Sequence, residues 1–221
     1  TWNPEFNGSV IDIDVDENED YYYAAGYFTR AHNQVVENAG RVSTAAGAAL
    51  DSSWTFQHSY LIGKYQQTVT AANGRVYFGG SQHSLFGYNS DSMTRTSGSI
   101  TMQNGGDVQA STRSATGVVY ASCHCSDFAF QDAYHYLTLG TSWTRADEIQ
   151  WVGGWDEATG RQLGWTPYRL GSLRSTGAWA LEMADDGALW AGGDFNYSYT
   201  SLTSGQWSGG FVRMPARNAT A

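Results

Sequence analysis

Four stretches of the chain share one pattern, and that pattern determines the fold prediction. They are DENEDYYYAAGYFT (residues 16–29), TAANGRVYFGGSQH (70–83), RSATGVVYASCHCS (113–126) and MADDGALWAGGDFN (183–196). Each stretch has a turn near its start and then a run rich in Val, Tyr or Trp. Asn-Gly and Asp-Gly turns are strong hairpin signals because both central residues tolerate positive φ. The pattern therefore predicts four β-hairpins, with turns at Asp20, Gly74, Gly117 and Gly187.

Every run ends in a pair of small residues. The pairs are Ala25-Gly26, Gly79-Gly80, Ser122-Cys123 and Gly192-Gly193. Small side chains suit a place where two backbones approach closely. A second glycine turn follows some repeats, in VSTAAGAAL (42–50) and WDEATGRQL (155–163), so each repeat is predicted to hold about four strands.

Four-stranded units that recur about every 40 to 50 residues are typical of propeller blades. We therefore predict an all-β fold: one β-propeller segment over residues 1–221, with about four four-stranded blades. The approximate blades are residues 1–56, 57–105, 106–170 and 171–221. The third is long enough for an inserted excursion around Gln131 to Asp147. A β-sandwich or another β-barrel is the alternative.

Composition and charge exclude several classes of protein. Aromatic residues make up 14% of the chain and 26 of its 221 residues are glycine, so it is neither disordered nor a coiled coil. No apolar run is long enough for a membrane-spanning helix, so membrane insertion is not expected. The net charge is −9 and no basic patch is present, which argues against a nucleic-acid partner.

The start of the chain, WNPEFNGSV (2–10) followed by YAAGYFT (23–29), resembles the delta-60 type β-propeller repeat of large secreted bacterial proteins. GGDF (192–195) and ATG (158–160) are similar to the same repeat, and SCHCSD (122–127) resembles a stretch of extracellular actinobacterial proteins. The resemblance implies a secreted or cell-surface location and a larger propeller. Its remaining blades would lie in the same polypeptide or in another chain.

The resemblance also implies that Thr1 begins partway through a longer polypeptide. A four-blade piece of a larger ring would leave two unpaired strand edges, which are an aggregation hazard. We expect these edges to be covered by further blades, a second chain or a copy of the chain itself.

Cys123 and Cys125 flank His124, an unusual local arrangement. On a strand, both cysteines would face one side and His124 the other. An extracellular setting favours a Cys123–Cys125 disulfide, although two positions along a flat strand span about 6.5 to 7 Å, so a bulge would be needed. Buried free thiols and a metal site are the alternatives, and a lone Cys-x-Cys lacks the second ligand pair of a zinc motif.

The residues directly after the small pairs are candidate ligand-binding residues: Tyr27, Ser81, His124 and Asp194. Equivalent positions of successive blades gather around one axis, so these side chains would form a polar funnel. His124 and Asp194 would serve as an acid–base pair if they met. The alternative is that these residues only satisfy backbone groups near the channel.

Other candidates lie in the excursion and near the start of the chain. Tyr134, Tyr136 and Trp143 are predicted to be exposed and to suit stacking on sugar rings. Trp151, Trp155, Trp165 and Trp190 are instead predicted to lie mostly in the core. Asp12, Asp14 and Asp16 alternate along a strand, so they should share one solvated face. They offer at most a weak calcium site, because the spacing lacks the Gly and Glu of an EF-hand. No cofactor and no other metal are predicted.

The sequence thus favours a non-catalytic extracellular scaffold or recognition module that binds a glycan or a protein partner. The alternative is a fragment of a secreted glycan hydrolase or lyase, but no catalytic motif is present and no catalytic residue is predicted. An acidic cluster beside His124 would favour the enzyme. A flat aromatic surface would favour binding.

Overall fold

The computed structural model describes residues 1–57, 64–101, 106–135, 139–165 and 167–215. Within these ranges the chain forms strands and no helix. The strands are β1 (Val10–Val15), β2 (Tyr21–Gly26), β3 (Arg30–Ala31), β4 (Gln34–Val35), β5 (Ala39–Ser43), β6 (Gln66–Ala72), β7 (Arg75–Gly80), β8 (Ser84–Asn89), β9 (Arg95–Thr101), β10 (Val108–Arg113), β11 (Val118–Cys123), β12 (Phe128–Gln131), β13 (Arg145–Glu148), β14 (Val152–Asp156), β15 (Arg169–Met183), β16 (Leu189–Tyr199), β17 (Gly205–Trp207) and β18 (Phe211–Met214).

These strands build four antiparallel sheets and a small β3–β4 hairpin. Sheet I has the order β1-β2-β5, and sheet III the order β10-β11-β14. Sheet II runs β6-β7-β8-β9-β12-β13, and in sheet IV the long strand β16 pairs with β15, β17 and β18. All four predicted hairpins are present, as β1–β2, β6–β7, β10–β11 and β15–β16.

Three apolar clusters join consecutive sheets face to face. Aromatic and β-branched side chains dominate them, and each fully buried one stabilises the fold by about 1.5 to 3 kcal/mol. The clusters include Tyr23, Ala25, Val76 and Phe78 between sheets I and II; Tyr77, Leu85, Val119 and Trp155 between sheets II and III; and Tyr120, Val152, Leu181 and Leu189 between sheets III and IV.

The first strand of each sheet packs beside the first strand of the next, in the order β1, β6, β10 and β15. All four strands line one groove, to which β1 contributes Asp12 and Asp14 and β15 contributes Glu182. Sheets I and IV share no strand in the described part of the chain. The sheets therefore follow one another around a groove without a closed sheet.

The predicted strand count is correct only in part. The second hairpins of sheets I and III shrink to single bridges, Val42–Leu50 and Trp155–Gln162, so these sheets have three strands each. The predicted excursion lies between β12 and β13, two strands that extend sheet II rather than the third sheet, because β12 pairs with β9. This pairing covers an edge of β9 that would otherwise lack backbone partners.

Candidate functional site

A β-bulge occurs at the same place in all four first strands. The register skips one residue each time: Ile11, Gln67, Gln109 or Trp179. The small pairs lie directly across from these bulges, as Gly26 pairs with Val10 and Gly193 with Ala178. A Cβ atom at Gly26 would collide with the backbone of Ser9, and the equivalent glycines of sheets II and IV are equally confined. The bulges therefore explain why the residues across from them are small. The four bulge residues, one from each sheet, mark the same end of every sheet.

Tyr27 and Ser81, two of the predicted ligand-binding residues, are joined through Tyr65. The rings of Tyr27 and Tyr65 stack with centroids 4.8 Å apart. The Ser81 hydroxyl donates to the Tyr65 carbonyl over 3.0 Å. Tyr27 is half-exposed and Ser81 is buried, so only Tyr27 offers a surface to a ligand.

His124 and Asp194 have separate partners. The Gln109 amide, oriented by its hydrogen-bond network, accepts from His124 Nε2 over 2.7 Å, and the His124 ring meets Trp179 edge-on at 5.9 Å. Asp194 accepts from the Thr176 hydroxyl (2.9 Å) and the Arg174 backbone N–H (2.8 Å). In the described part of the chain no hydrogen bond or ion pair joins His124 to Asp194, so the predicted acid–base pair has no geometric support.

The pKa of Asp194 reflects these contacts. Burial raises it, but the hydrogen bonds from Thr176 and Arg174 outweigh burial and hold the pKa below its usual range. The carboxylate is therefore charged at neutral pH. Its hydrogen bonds fix residues 172–176 of β15, where the pairing with β16 is interrupted.

Sequence reasoning missed a cluster of Tyr65, His83 and Asp107. The Tyr65 hydroxyl donates to the Asp107 carboxylate, and His83 Nε2 lies 3.6 Å from the other carboxylate oxygen. Burial raises the pKa of Tyr65, and the Asp107 carboxylate raises it further. Burial lowers the pKa of His83 despite the nearby Asp107. Tyr65 and Asp107 each directly precede a first strand, so extending the repeat alignment backwards would have found both.

A second missed feature is a groove of about 490 Å³ at the bulge end of sheet IV. Trp179 and Trp207 flank it and are 55% and 68% exposed. Asp194, Asn196 and Arg174 add polar groups to its lining. The backbone at Gly209 lies against the Trp207 ring, because a Cβ atom there would clash with it. Two supported, exposed indole rings thus face a groove that contains hydrogen-bonding groups.

Two aromatic candidates of the excursion, Tyr134 and Trp143, pack against sheet II instead. Tyr134 is half-buried, parallel to Phe86 at 6.5 Å, and the Arg95 guanidinium lies 4.5 Å from its ring centroid. Trp143 is 37% exposed and meets Phe130 edge-on. Tyr136 lies outside the described residues. Neither Tyr134 nor Trp143 lines the groove of sheet IV.

Cys123 and Cys125 lie side by side, with Cα atoms 5.1 Å apart and both side chains buried. This separation is within the range that a disulfide requires. Cys123 stands where the other sheets have glycine, at the end of β11, and the chain leaves the strand there.

Asp12 and Asp14 are not on a solvated face, contrary to the prediction. Asp12 Oδ2 accepts from the Val69 N–H (2.9 Å) and Asp14 Oδ2 from the Ala71 N–H (2.7 Å), so both carboxylates point at sheet II. Burial raises the pKa of both, more than these hydrogen bonds lower it. Asp16 instead accepts N–H groups within its own turn. No cluster of metal-ligating side chains occurs among the residues that the structure describes.

Comparison with known proteins assigns the chain to no family. No family model and no curated protein matches the chain. The chain is similar to the extracellular domain of a B. thetaiotaomicron protein described as a one-component system (14% identity, TM-score 0.49), covering 88% of this chain and 22% of that one. A second structure of that domain, described as part of a hybrid two-component system, gives 13% identity and a TM-score of 0.48, with 86% and 21% covered.

The WD40 β-propeller domain of Doa1 is also similar, at 10% identity and a TM-score of 0.41, with 96% of this chain and 91% of that chain covered. The chain spans about a fifth of the length of the bacterial structures. Within the described ranges, no helix is long and apolar enough to cross a membrane.

Proposed function

We propose that the chain is a β-propeller segment that serves as a non-catalytic recognition module for a glycan, bound in the groove between Trp179 and Trp207. The four sheets, with the same bulge in each first strand, support the propeller assignment. No strand is common to sheets I and IV in the described ranges, so no shared strand closes a ring.

The two exposed tryptophans carry the functional proposal. A pyranose ring has an apolar face that packs on an indole, while its hydroxyls need hydrogen-bonding partners beside the ring. The groove supplies both, since the Arg174 side chain is 81% exposed next to Asp194. Arg174 has guanidinium donors beyond the one that Asp194 accepts, so sugars that carry a carboxylate fit best.

The test is titration calorimetry of residues 1–221 with a panel of neutral and uronic-acid oligosaccharides. We expect the Trp179→Ala and Trp207→Ala variants each to weaken binding at least tenfold. Trp143→Ala is the matched control, an exposed tryptophan on another sheet, and should leave binding unchanged. Absence of binding to every oligosaccharide, or equal affinity in all variants, would refute a glycan site in this groove and leave a protein partner as the ligand class.

One observation favours the alternative, a fragment of a secreted glycan hydrolase or lyase. The hydrogen-bonded cluster of Tyr65, Asp107 and His83 contains groups that could transfer protons. In that case the module would release products from the same oligosaccharides, and Tyr65→Phe would abolish the release. Unchanged oligosaccharides after prolonged incubation would exclude this alternative.

We further propose that the chain works outside the cell, with Cys123 and Cys125 joined as a disulfide. Their adjacency and burial support the bond, and such bonds persist in oxidising compartments. Mass spectrometry after alkylation of the unfolded, unreduced protein should show two unmodified cysteines. Two alkylated cysteines would contradict the proposal.

A further inference from the structure

Sheet IV exposes a face that the other sheets bury. Trp190 on β16 pairs with Glu182 on β15. Tyr23, Tyr77 and Tyr120 occupy the equivalent position on the second strands of the other three sheets. Those three tyrosines are at most 1% exposed, because the next sheet packs on them. Trp190, by contrast, is only half-buried, which corrects its assignment to the core. It stacks at 5.0 Å on Phe211, which is 59% exposed.

Sheet I is uncovered along β1 on its opposite face, although Phe6 and Phe28 cover Ala24 on the neighbouring strand β2. Ile13 is 53% exposed, whereas Val69 and Leu181, at the same register position, are 3% and 8% exposed because the preceding sheet covers them. Tyr22 and the partly exposed Trp2 meet edge-on at 5.3 Å and extend this apolar face. One chain thus exposes apolar residues at two positions that its three internal joints bury, one on sheet IV and one along β1 of sheet I.

We propose that a second copy of the chain supplies the missing partners. Sheet IV of each copy packs on sheet I of the other, as each internal sheet packs on its successor. Two such contacts, related by a twofold axis, use both uncovered faces and close a ring of eight sheets. A head-to-tail contact that closes in this way avoids open-ended assembly, and eight blades lie within the range of known propellers.

The chemistry at the joint also repeats. Asp14 of sheet I accepts the N–H of Ala71 on the next first strand. Glu182 occupies the position of Asp14 on sheet IV and is exposed. Sheet IV therefore offers a carboxylate at the position where sheet I uses Asp14 to bind the next sheet. Trp190, Phe211 and Ile13 do not line the glycan groove, so the proposal is tested separately from it.

The first test is sedimentation equilibrium of residues 1–221 at micromolar concentration. We expect a single species of twice the 24.1 kDa chain mass. A monomer, or assemblies larger than two copies, would overturn the closed pair. This measurement needs no variant and so does not depend on any substitution folding.

The second test places one charge on each face. Phe211→Asp and Ile13→Asp change exposed side chains, so both should fold, as judged by circular dichroism, and both should weaken dimerisation at least 100-fold. The control is Leu202→Asp, whose side chain is 80% exposed away from both faces and should change dimerisation less than threefold. If Phe211→Asp alone disrupts the dimer, sheet IV packs on itself and the proposed contact is wrong.

Discussion

Two joints between neighbouring sheets differ in their hydrogen bonds. In the joint of sheets I and II, side chains accept from the backbone of a first strand, and in the joint of sheets III and IV a side chain donates to it. At the first joint, the carboxylates of Asp12 and Asp14 accept backbone N–H groups of β6. At the third joint, the Gln109 amide donates to two backbone carbonyls of β15, over 2.9 and 3.0 Å. Each joint satisfies the free edge of a first strand with side chains from the preceding sheet.

The difference shows two ways in which neighbouring sheets can satisfy the backbone groups of their first strands. A first strand has a neighbour on one side only, and unsatisfied backbone groups in a partly buried place cost stability. A carboxylate suits an edge that presents N–H groups, and an amide nitrogen suits an edge that presents carbonyls. Only the carboxylate joint titrates in the acid range, so the two joints should respond differently to charge and to pH.

The largest effect is expected when the chemistry of the third joint is reversed. Gln109→Glu places a carboxylate against the carbonyls of Thr176 and Ala178 in a side chain that is 7% exposed. His124 Nε2 still donates to one carboxylate oxygen, but the other oxygen faces two carbonyls, and a buried charge compensated on one side only costs about 3 kcal/mol. We expect a loss of this size in the free energy of unfolding at pH 8, measured by urea denaturation.

The control for this reversal is Gln109→Met, which keeps the volume and removes the amide. It should cost about 1 to 2 kcal/mol, the loss of hydrogen bonds without a new charge. If the Met and Glu variants were equally stable, the amide would not face carbonyl oxygens, and the contrast between the joints would disappear.

A smaller effect is expected at the first joint. Asp12→Ala removes the acceptor for the Val69 N–H, the Thr68 hydroxyl and the Ile13 N–H. Because Asp12 is only half-buried, water replaces part of what is lost, and we expect about 2 kcal/mol of destabilisation in the same denaturation assay. Asp20→Ala, which removes an exposed carboxylate in the following turn, should change stability by less than about 0.5 kcal/mol. Equal losses in both variants would show that Asp12 does not hold the joint.

The sequence was a good guide to the hairpins and a poor guide to how the sheets meet. Turn chemistry and alternation are local signals, so the four hairpins and the small pairs could be predicted from the residues alone. The solvated aspartate face was wrong because alternation tells which residues share a face but not what that face contacts. Asp12 and Asp14 share a face as predicted, and that face packs against sheet II.

The site was harder for the same reason. His124 was singled out by its place after a small pair, but its partner Gln109 lies on another strand and its neighbour Trp179 on another sheet. Trp179 carries no local signal as a bulge residue, because the bulge is visible only in the pairing register. The groove beside it depends on contacts far apart in sequence, which no single motif records.

The smallest effect is a pH dependence that belongs to the first joint alone. Burial raises the pKa of Asp12 and Asp14 above the usual 3.8, so the folded state binds protons more tightly than the unfolded state. Their contribution to stability is therefore fully present below pH 3.8 and is lost as the pH rises through the raised folded-state pKa values. A variant with Asp12→Asn and Asp14→Asn lacks this titration.

The unfolding free energy of the wild type minus that of this variant should fall as the pH rises from about 3.5 and then level off. Asp51 and Asp194, whose pKa values are lowered, affect both proteins alike and cancel in the difference. The same subtraction with Gln109→Met should be flat across this acid range, because the third joint has no carboxylate. A flat curve for the aspartate pair would mean that the first joint is as insensitive to acid as the third, and a rising curve would mean that the folded state favours the charged carboxylates.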